Sequence, residues 1–224
     1  MKILLNSYKN GLFVLLMGIF FLSSCEEKKK TDQTNTETEP QEVSEGEWQY
    51  RDELSHLPLE QQITVLYDSL QSLKAQAMAS EKTKLHSTQL FVEEIELLNK
   101  PYDAQKLETV KNAQNTLKEQ VYDSVSFSDV QVMERYDNAT EKLIAALNDF
   151  AENTENFDKF ERANILLNEV IVADKNDFTL RKDYNSFAQE LNSLLEEKKA
   201  EVQQLGEAFK SMQPVSFFYG EPMM

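Results

Sequence analysis

Apolar residues recur along most of the chain at alternating steps of three and four, which predicts helices with one narrow buried stripe each. The first stripe runs Leu59, Ile63, Leu66, Leu70, Leu73 and Ala77, behind Pro58 in a first-turn position that tolerates proline. It weakens from Ser80 to Ser87, resumes at Phe91, Ile95 and Leu98, and stops before Pro101. One helix of about 40 residues, near 60 Å long at 1.5 Å per residue, and two helices broken near Ser80 both fit. A second stripe is Leu107, Val110, Gln114, Leu117 and Val121, with Asp103 as N-cap. A third opens at Ser128, where Ser128-Asp129-Val130-Gln131 has the form of a capping box, and continues through Met133, Tyr136, Thr140, Leu143, Leu147 and Phe150. A fourth is Phe157, Phe160, Asn164, Leu167 and Ile171. The last is Tyr184, Phe187, Leu191 and Leu194, then Val202, Leu205 and Phe209, closed by Gly206 and Pro214. Short connections make neighbours antiparallel, so the expected fold is all-α: an elongated antiparallel bundle of four to five long amphipathic helices. The stripes are thin and include Gln114, Thr140 and Asn164, which predicts modest stability or a homo-oligomer.

Glycine strengthens this reading. The chain has 224 residues and five glycines, and none lies between Glu47 and Leu205. Strand-rich and α/β folds use glycine for positive-φ turns and phosphate loops, so a glycine-free body excludes nucleotide-binding loops. With 23 Lys and Arg against 39 Asp and Glu, the formal charge is −16, which argues against nucleic acid as a partner.

The N-terminus has a different character. Lys2 and Lys9 precede an apolar run from Gly11 to Leu22 that is too short for the ~20 residues of a spanning helix and the right size for a signal-peptide core. It ends in Leu22-Ser23-Ser24-Cys25, which resembles the bacterial lipobox, and Cys25 is the single cysteine of the chain. That resemblance implies cleavage before Cys25, acylation of its sulfur (palmitate-like chains) and of its new amino group, and two or more acyl chains holding the protein to membrane lipid. Residues 1–24 are then a lipoprotein signal peptide, and the mature chain loses Lys2 and Lys9 but no acid, moving the charge to about −18. Residues 25–47 carry one valine and no aromatic residue until Trp48, the composition of a disordered tether. The helical bundle domain is expected over 48–212 and an aromatic tail over 213–224. Glu26-Glu27 beside Cys25 resembles signals that send some lipoproteins to the cell surface. The expected location is the bacterial cell envelope, at the outer membrane, on its periplasmic face or outside.

Candidate chemistry is sparse. A lone cysteine excludes a disulfide framework and a thiolate zinc site. Glu53-Leu54-Ser55-His56 has the Glu-x-x-His spacing of di-iron bundles, but His86 has Thr83 where the second motif needs Glu. Two histidines without a glycine-framed elbow give no nucleophile triad. Glu93-Glu94, Glu96 and Glu196-Glu197 with Lys198-Lys199 read as solvated helix faces. Asp68-Ser69-Leu70 and Asp123-Ser124-Val125 resemble short O-glycosylation patterns of some bacterial envelope proteins, Ser124 being the more accessible. A carboxylate or metal enzyme would need buried acids converging, which the stripe positions do not show. Phe217-Phe218-Tyr219 follows Pro214 outside any helix, and packing onto the bundle is favoured over exposure as a docking segment.

Tyr184-Asn185, Asn192, Leu205-Gly206, Phe209-Lys210 and Phe217-Phe218, with Asn156-Phe157 and Ile171 upstream, follow an order similar to that of the LemA family of helical, membrane-anchored bacterial proteins. The resemblance spans about sixty residues. The family's first-helix Asp-Leu-Ile-Pro-Asn-Leu element is absent, with only Asp52-Glu53-Leu54 and Leu57-Pro58 near it. It implies no catalytic residues and no cofactor. The expected function is therefore non-enzymatic: an anchored scaffold or module that binds a protein partner. The alternative is a chaperone-like or cargo-binding bundle with an open apolar groove and acidic rims.

Overall fold

The computed structural model describes residues 54–98 and 101–220. The stretches expected to be signal peptide and tether, with Cys25, Glu53 and residues 221–224, lie outside the described residues. The described residues all belong to one compact unit. Its long elements are α1 (Leu59–Leu97), α2 (Ala104–Gln120), α3 (Val130–Asn153) and α4 (Glu161–Glu197), and no strand occurs among the described residues. The fold is all-α, as the 3-4 spacing implies.

The pattern gap at Ser80 is no break: α1 is continuous for 39 residues, or about 58 Å. Likewise the fourth and fifth stripes belong to one helix, α4, of 37 residues. Phe157 lies ahead of it in a 3-10 turn, Phe157–Lys159, and Phe160 is its N-cap. Asp103 caps α2 as expected, its carboxylate accepting from the Gln105 and Lys106 N–H groups at 2.9 and 3.1 Å. For α3 the cap shifts by one residue. Asp129, not Ser128, accepts from the Val132 N–H at 3.0 Å, because Ser128 ends a 3-10 turn, Ser126–Ser128.

Helices α1 and α4 run antiparallel along most of their length. Lys84 faces Asp174, Ser87 faces Glu169, and Glu94 faces Arg162. Helices α2 and α3 form the intervening hairpin, and Phe91 of α1 meets Phe150 of α3 edge-on across the centre at 5.5 Å. The hairpin is shorter than the long pair, so four helices surround the core at one end and only α1 and α4 continue at the other. The chain after α4 makes two single-turn helices, α5 (Lys199–Val202) and α6 (Glu207–Lys210), and returns along the long pair. Phe218 is buried, which settles the tail as packed.

Turns in this body manage without glycine. The one non-glycine residue at positive φ among the described residues is Asn156 (φ 56°), a residue type that tolerates the left-handed region.

Candidate functional site

Where the hairpin ends, a layer of charged and phenolic side chains crosses the core. Glu81, Lys84, Asp177 and Arg181 are all buried, as are Tyr122 and Tyr136. The local cause is a spacing defect shared by both long helices. Buried positions on α1 run 63, 66, 70, 77, 81, 84, 88, 91 and 95, with Leu73 half-buried between 70 and 77. Those on α4 run 163, 166, 170, 173, 177, 181, 184, 188, 191 and 195. Each contains two consecutive steps of four, at 73–77–81 and 173–177–181. That eleven-residue spacing locally unwinds the supercoil and turns Glu81, Asp177 and Arg181 inward.

Three oxygens surround the Lys84 ammonium. Nζ donates to Tyr136 Oη at 3.0 Å and Asp174 Oδ1 at 2.9 Å, and lies 2.8 Å from Glu81 Oε1. Asp177 accepts from Tyr122 Oη at 2.8 Å and Tyr136 Oη at 2.9 Å, and Arg181 Nε stands 3.2 Å away. Arg181 Nη1 donates to Asp137 Oδ1 at 3.1 Å, and its guanidinium lies 5.6 Å from the Tyr136 ring centre. Tyr136 thus links the two halves of the layer, accepting from Lys84 and donating to Asp177.

Burial dominates the protonation of this layer. It raises Glu81 above the usual carboxylate range, Asp177 adds to the rise, and Lys84 opposes it. Neither Glu81 Oε1 nor Oε2 has a hydrogen-bond partner among the described residues, so Lys84 meets this carboxylate as an ion pair. For Lys84 burial alone would lower the pKa, but Glu81 and Asp174 outweigh it and the ammonium is held charged. Burial and then Asp177 push the Tyr122 phenol up, while burial and then Glu81 do the same to Tyr136, so both remain proton donors.

Beside this layer the tail is clamped. Asn185 Nδ2 donates to the Phe218 carbonyl at 2.8 Å while the Phe218 N–H donates to Asn185 Oδ1 at 2.7 Å. One helical heptad on, Asn192 holds Val215 the same way, at 3.0 and 2.8 Å. Seven helical residues rise about 10.5 Å and three extended residues about 10 Å, so the two amides match two backbone sites three residues apart. The Phe218 ring sits against Phe127, Tyr184 and Tyr122 at 4.7, 5.0 and 5.6 Å. Tyr122 and Phe127 are positioned by Asp123, whose Oδ1 accepts from the Val125 and Ser126 N–H groups at 2.9 and 2.8 Å and from Ser126 Oγ at 2.9 Å. The backbone N–H groups of Ser126 and Val125 hold this carboxylate below its usual range.

A third feature lies at the far end of the long pair. A cleft of about 380 Å³ is lined by Leu57, Leu59, Leu66 and Leu194 together with Gln62, Glu190, Lys198 and Glu201.

Several sequence candidates fall elsewhere. His56 and His86 are exposed and remote from each other along α1 and its approach, and among the described residues no His, Cys, Asp and Glu group could hold a metal. Glu94 and Glu96 pair with Arg162 and Lys111. Glu196 and Glu197 are exposed on the last turn of α4. Ser124 is exposed in the α2–α3 loop, whereas Ser69 is half-buried within α1. The expectation that no buried acids converge is corrected: Glu81 and Asp177 do. The apolar stripe missed them because its own positions there are charged, and the signal lay in the 3-4 spacing that resumes at Glu81, Lys84 and Thr88 after the double step of four. The structure brings together Tyr184, Asn185, Asn192 and Phe218, four of the residues behind the LemA resemblance.

The fold and these arrangements define an all-α helical-bundle protein with a charged core layer and a side-chain-clamped tail. No protein-family model matches the chain, and no curated protein or solved structure matches it either. No helix among the described residues is long and apolar enough to cross a membrane.

Proposed function

We propose that the protein is a lipid-anchored lipoprotein of the bacterial cell envelope, acylated on Cys25, that works without catalysis as a helical scaffold or partner-binding module. The observation that carries the anchor is Cys25, the single cysteine, directly after a short apolar run ending in Leu22-Ser23-Ser24. The non-catalytic part is supported by the charged layer, where Lys84, Asp177 and Arg181 are engaged by the two tyrosines and by Asp174 and Asp137. Such networks rigidify and specify a core. The clamped tail uses four of the residues that resemble the LemA family, whose members are membrane-anchored and not known as enzymes. A protein partner or a second copy is the expected binding target, with no nucleic acid and no cofactor.

Membrane fractionation tests the anchor. Cys25→Ala should move the protein from the membrane pellet to the soluble fraction, and retention in the pellet would defeat the reading. Crosslinking in intact envelopes then identifies partners.

One observation favours the cargo-binding alternative: the terminal cleft is lined by leucines together with Glu190, Glu197 and Glu201, although Lys198, Ser55 and Gln62 line it too. Against it, the rest of the core is filled by tightly buried residues such as Ile63, Phe91, Leu143 and Phe150.

A further inference from the structure

The tail is held by chemistry that does not depend on the tail's own sequence except at one place. Asn185 and Asn192 bond only backbone groups, of Phe218 and Val215, and any extended residue other than proline offers the same pair. The side-chain reading comes from the Phe218 pocket, where the ring is 1% exposed, while Val215 and Phe217 are half-buried and Ser216 is exposed. Extended peptides added to sheet edges are recognised by this division of labour, backbone bonds for affinity and a pocket for specificity. Here two side-chain amides on a helix stand in for the edge strand.

The connection from α4 to the tail buries one side chain, Val202, and covers Leu205, Phe209 and Met212 only in part. Lys198 leaves helical geometry (φ −104°, ψ 20°), and α5 and α6 are one turn each with no side-chain cap bond. Gly206 between them has open space around it. The tail's remaining backbone tie is the Tyr219 N–H to the Phe127 carbonyl at 3.2 Å. Segments with few buried contacts open locally at a free energy below that of global unfolding.

We propose that residues 214–220 are a displaceable strap and that the groove beneath is a docking site for an extended peptide of a partner protein, carrying an aromatic residue three positions after a small apolar one. The strap is the intramolecular competitor that keeps the site closed until such a segment arrives. This deepens the partner-binding reading and rests on it, independently of the anchor.

The test uses the full chain carrying Phe218→Ala, which empties the pocket and leaves the groove intact, with a fluorescent peptide of residues 213–220 as probe. Saturable binding is expected, at least about tenfold weaker to the wild-type chain, whose own strap acts as a competitor at high effective concentration. Replacing phenylalanine by alanine at the probe's position 218, or adding Asn185→Ala to the chain, should each weaken binding at least about tenfold. No saturable binding to a Phe218→Ala chain that keeps its helical circular dichroism would overturn the proposal, as would equal binding of the alanine probe. Hydrogen exchange on the wild-type chain gives a measurement free of folding defects. Val215 and Phe218 amides should exchange faster than the α4 core, and exchange in step with that core would overturn the strap. Self-association dissolved by the free peptide would overturn the occupant in favour of a second copy's tail. Failure of any arm leaves the anchor standing, since fractionation of Cys25→Ala reads that separately.

Discussion

Asn185 grips Phe218 by the backbone with both ends of its amide, 2.8 Å from Nδ2 to the carbonyl and 2.7 Å from the N–H to Oδ1, in a buried setting. Removing that amide leaves two main-chain groups without partners, each worth about 1–3 kcal/mol when shielded from water. Asn185→Ala should therefore destabilise the domain by about 2–3 kcal/mol, read as a lower urea midpoint at unchanged slope. Asn192→Ala should cost less, about 1 kcal/mol, because Asn192 is half-buried and water can replace part of its role.

Lys84 is fully buried and neutralises Glu81 and Asp174. Taking away one partner of a buried ion pair costs about 3–5 kcal/mol because the other charge is left uncompensated. Lys84→Met should fall in that range by chemical denaturation. Adding Glu81→Leu should restore a good part of the loss, and no recovery would mean that Asp174 and Tyr136 are the partners that matter.

The pH dependence has a defined sign. Glu81 is raised by burial first and by Asp177 next, against Lys84, with Asp174, Arg181, Tyr122 and Tyr136 completing its charged surroundings. A carboxyl with a native pKa above its unfolded one binds its proton more tightly when folded. Its stabilising contribution is full below the ordinary carboxylate range and falls as pH rises through the native value. Asp137, raised by burial, acts in the same direction, whereas Asp123 acts oppositely. Glu81→Gln should flatten the decline of stability as pH rises above the ordinary carboxylate range, relative to wild type, measured as the difference between two denaturation series. An unchanged slope would assign the decline to other groups.

Ala79 lies exposed in the stretch of α1 where the apolar pattern weakens. In a continuous helix, Ala79→Gly should cost about 1 kcal/mol. A substitution with no effect would place a break there.

Helices α2 and α3 were the most legible part of the sequence. Leu107, Val110 and Leu117, and Met133 through Phe150, all lie where the 3-4 count puts them. Val121 does not: it follows the end of α2 and is 38% exposed. The two long helices were legible only in pieces, for one physical reason. Counting apolar letters stops at Glu81 and Lys84 and again at Asp177 and Arg181, because an isolated charge in a stripe is too costly to bury. Those charges are buried together, and part of their compensation lies across the core on Asp174, Tyr136, Tyr122 and Asp137, 41 to 90 positions away. The α4 stripe also shifts in phase: Ala163, Leu166 and Val170 are buried, whereas Asn164 and Ile171 are only half-buried. The tail clamp was visible as Asn185, Asn192 and an aromatic C-terminus, but the geometry joining them was not, since a side-chain bond to backbone leaves no mark on the partner's sequence.

The pairing of α1 with α4 also sets an order of assembly. Helix α1 is made first, yet its principal partner begins more than sixty residues later, at Glu161. The hairpin of α2 and α3 is local and closes at small entropic cost, so it is the natural nucleus on which α1 is later sandwiched. Until α4 emerges, the seam of Ile63, Leu66 and Leu70 has nothing to cover it, and the growing chain must carry that exposed edge through most of its synthesis. Residues 213–220 close the structure, so deleting them would leave the late contacts unmade while sparing the early ones.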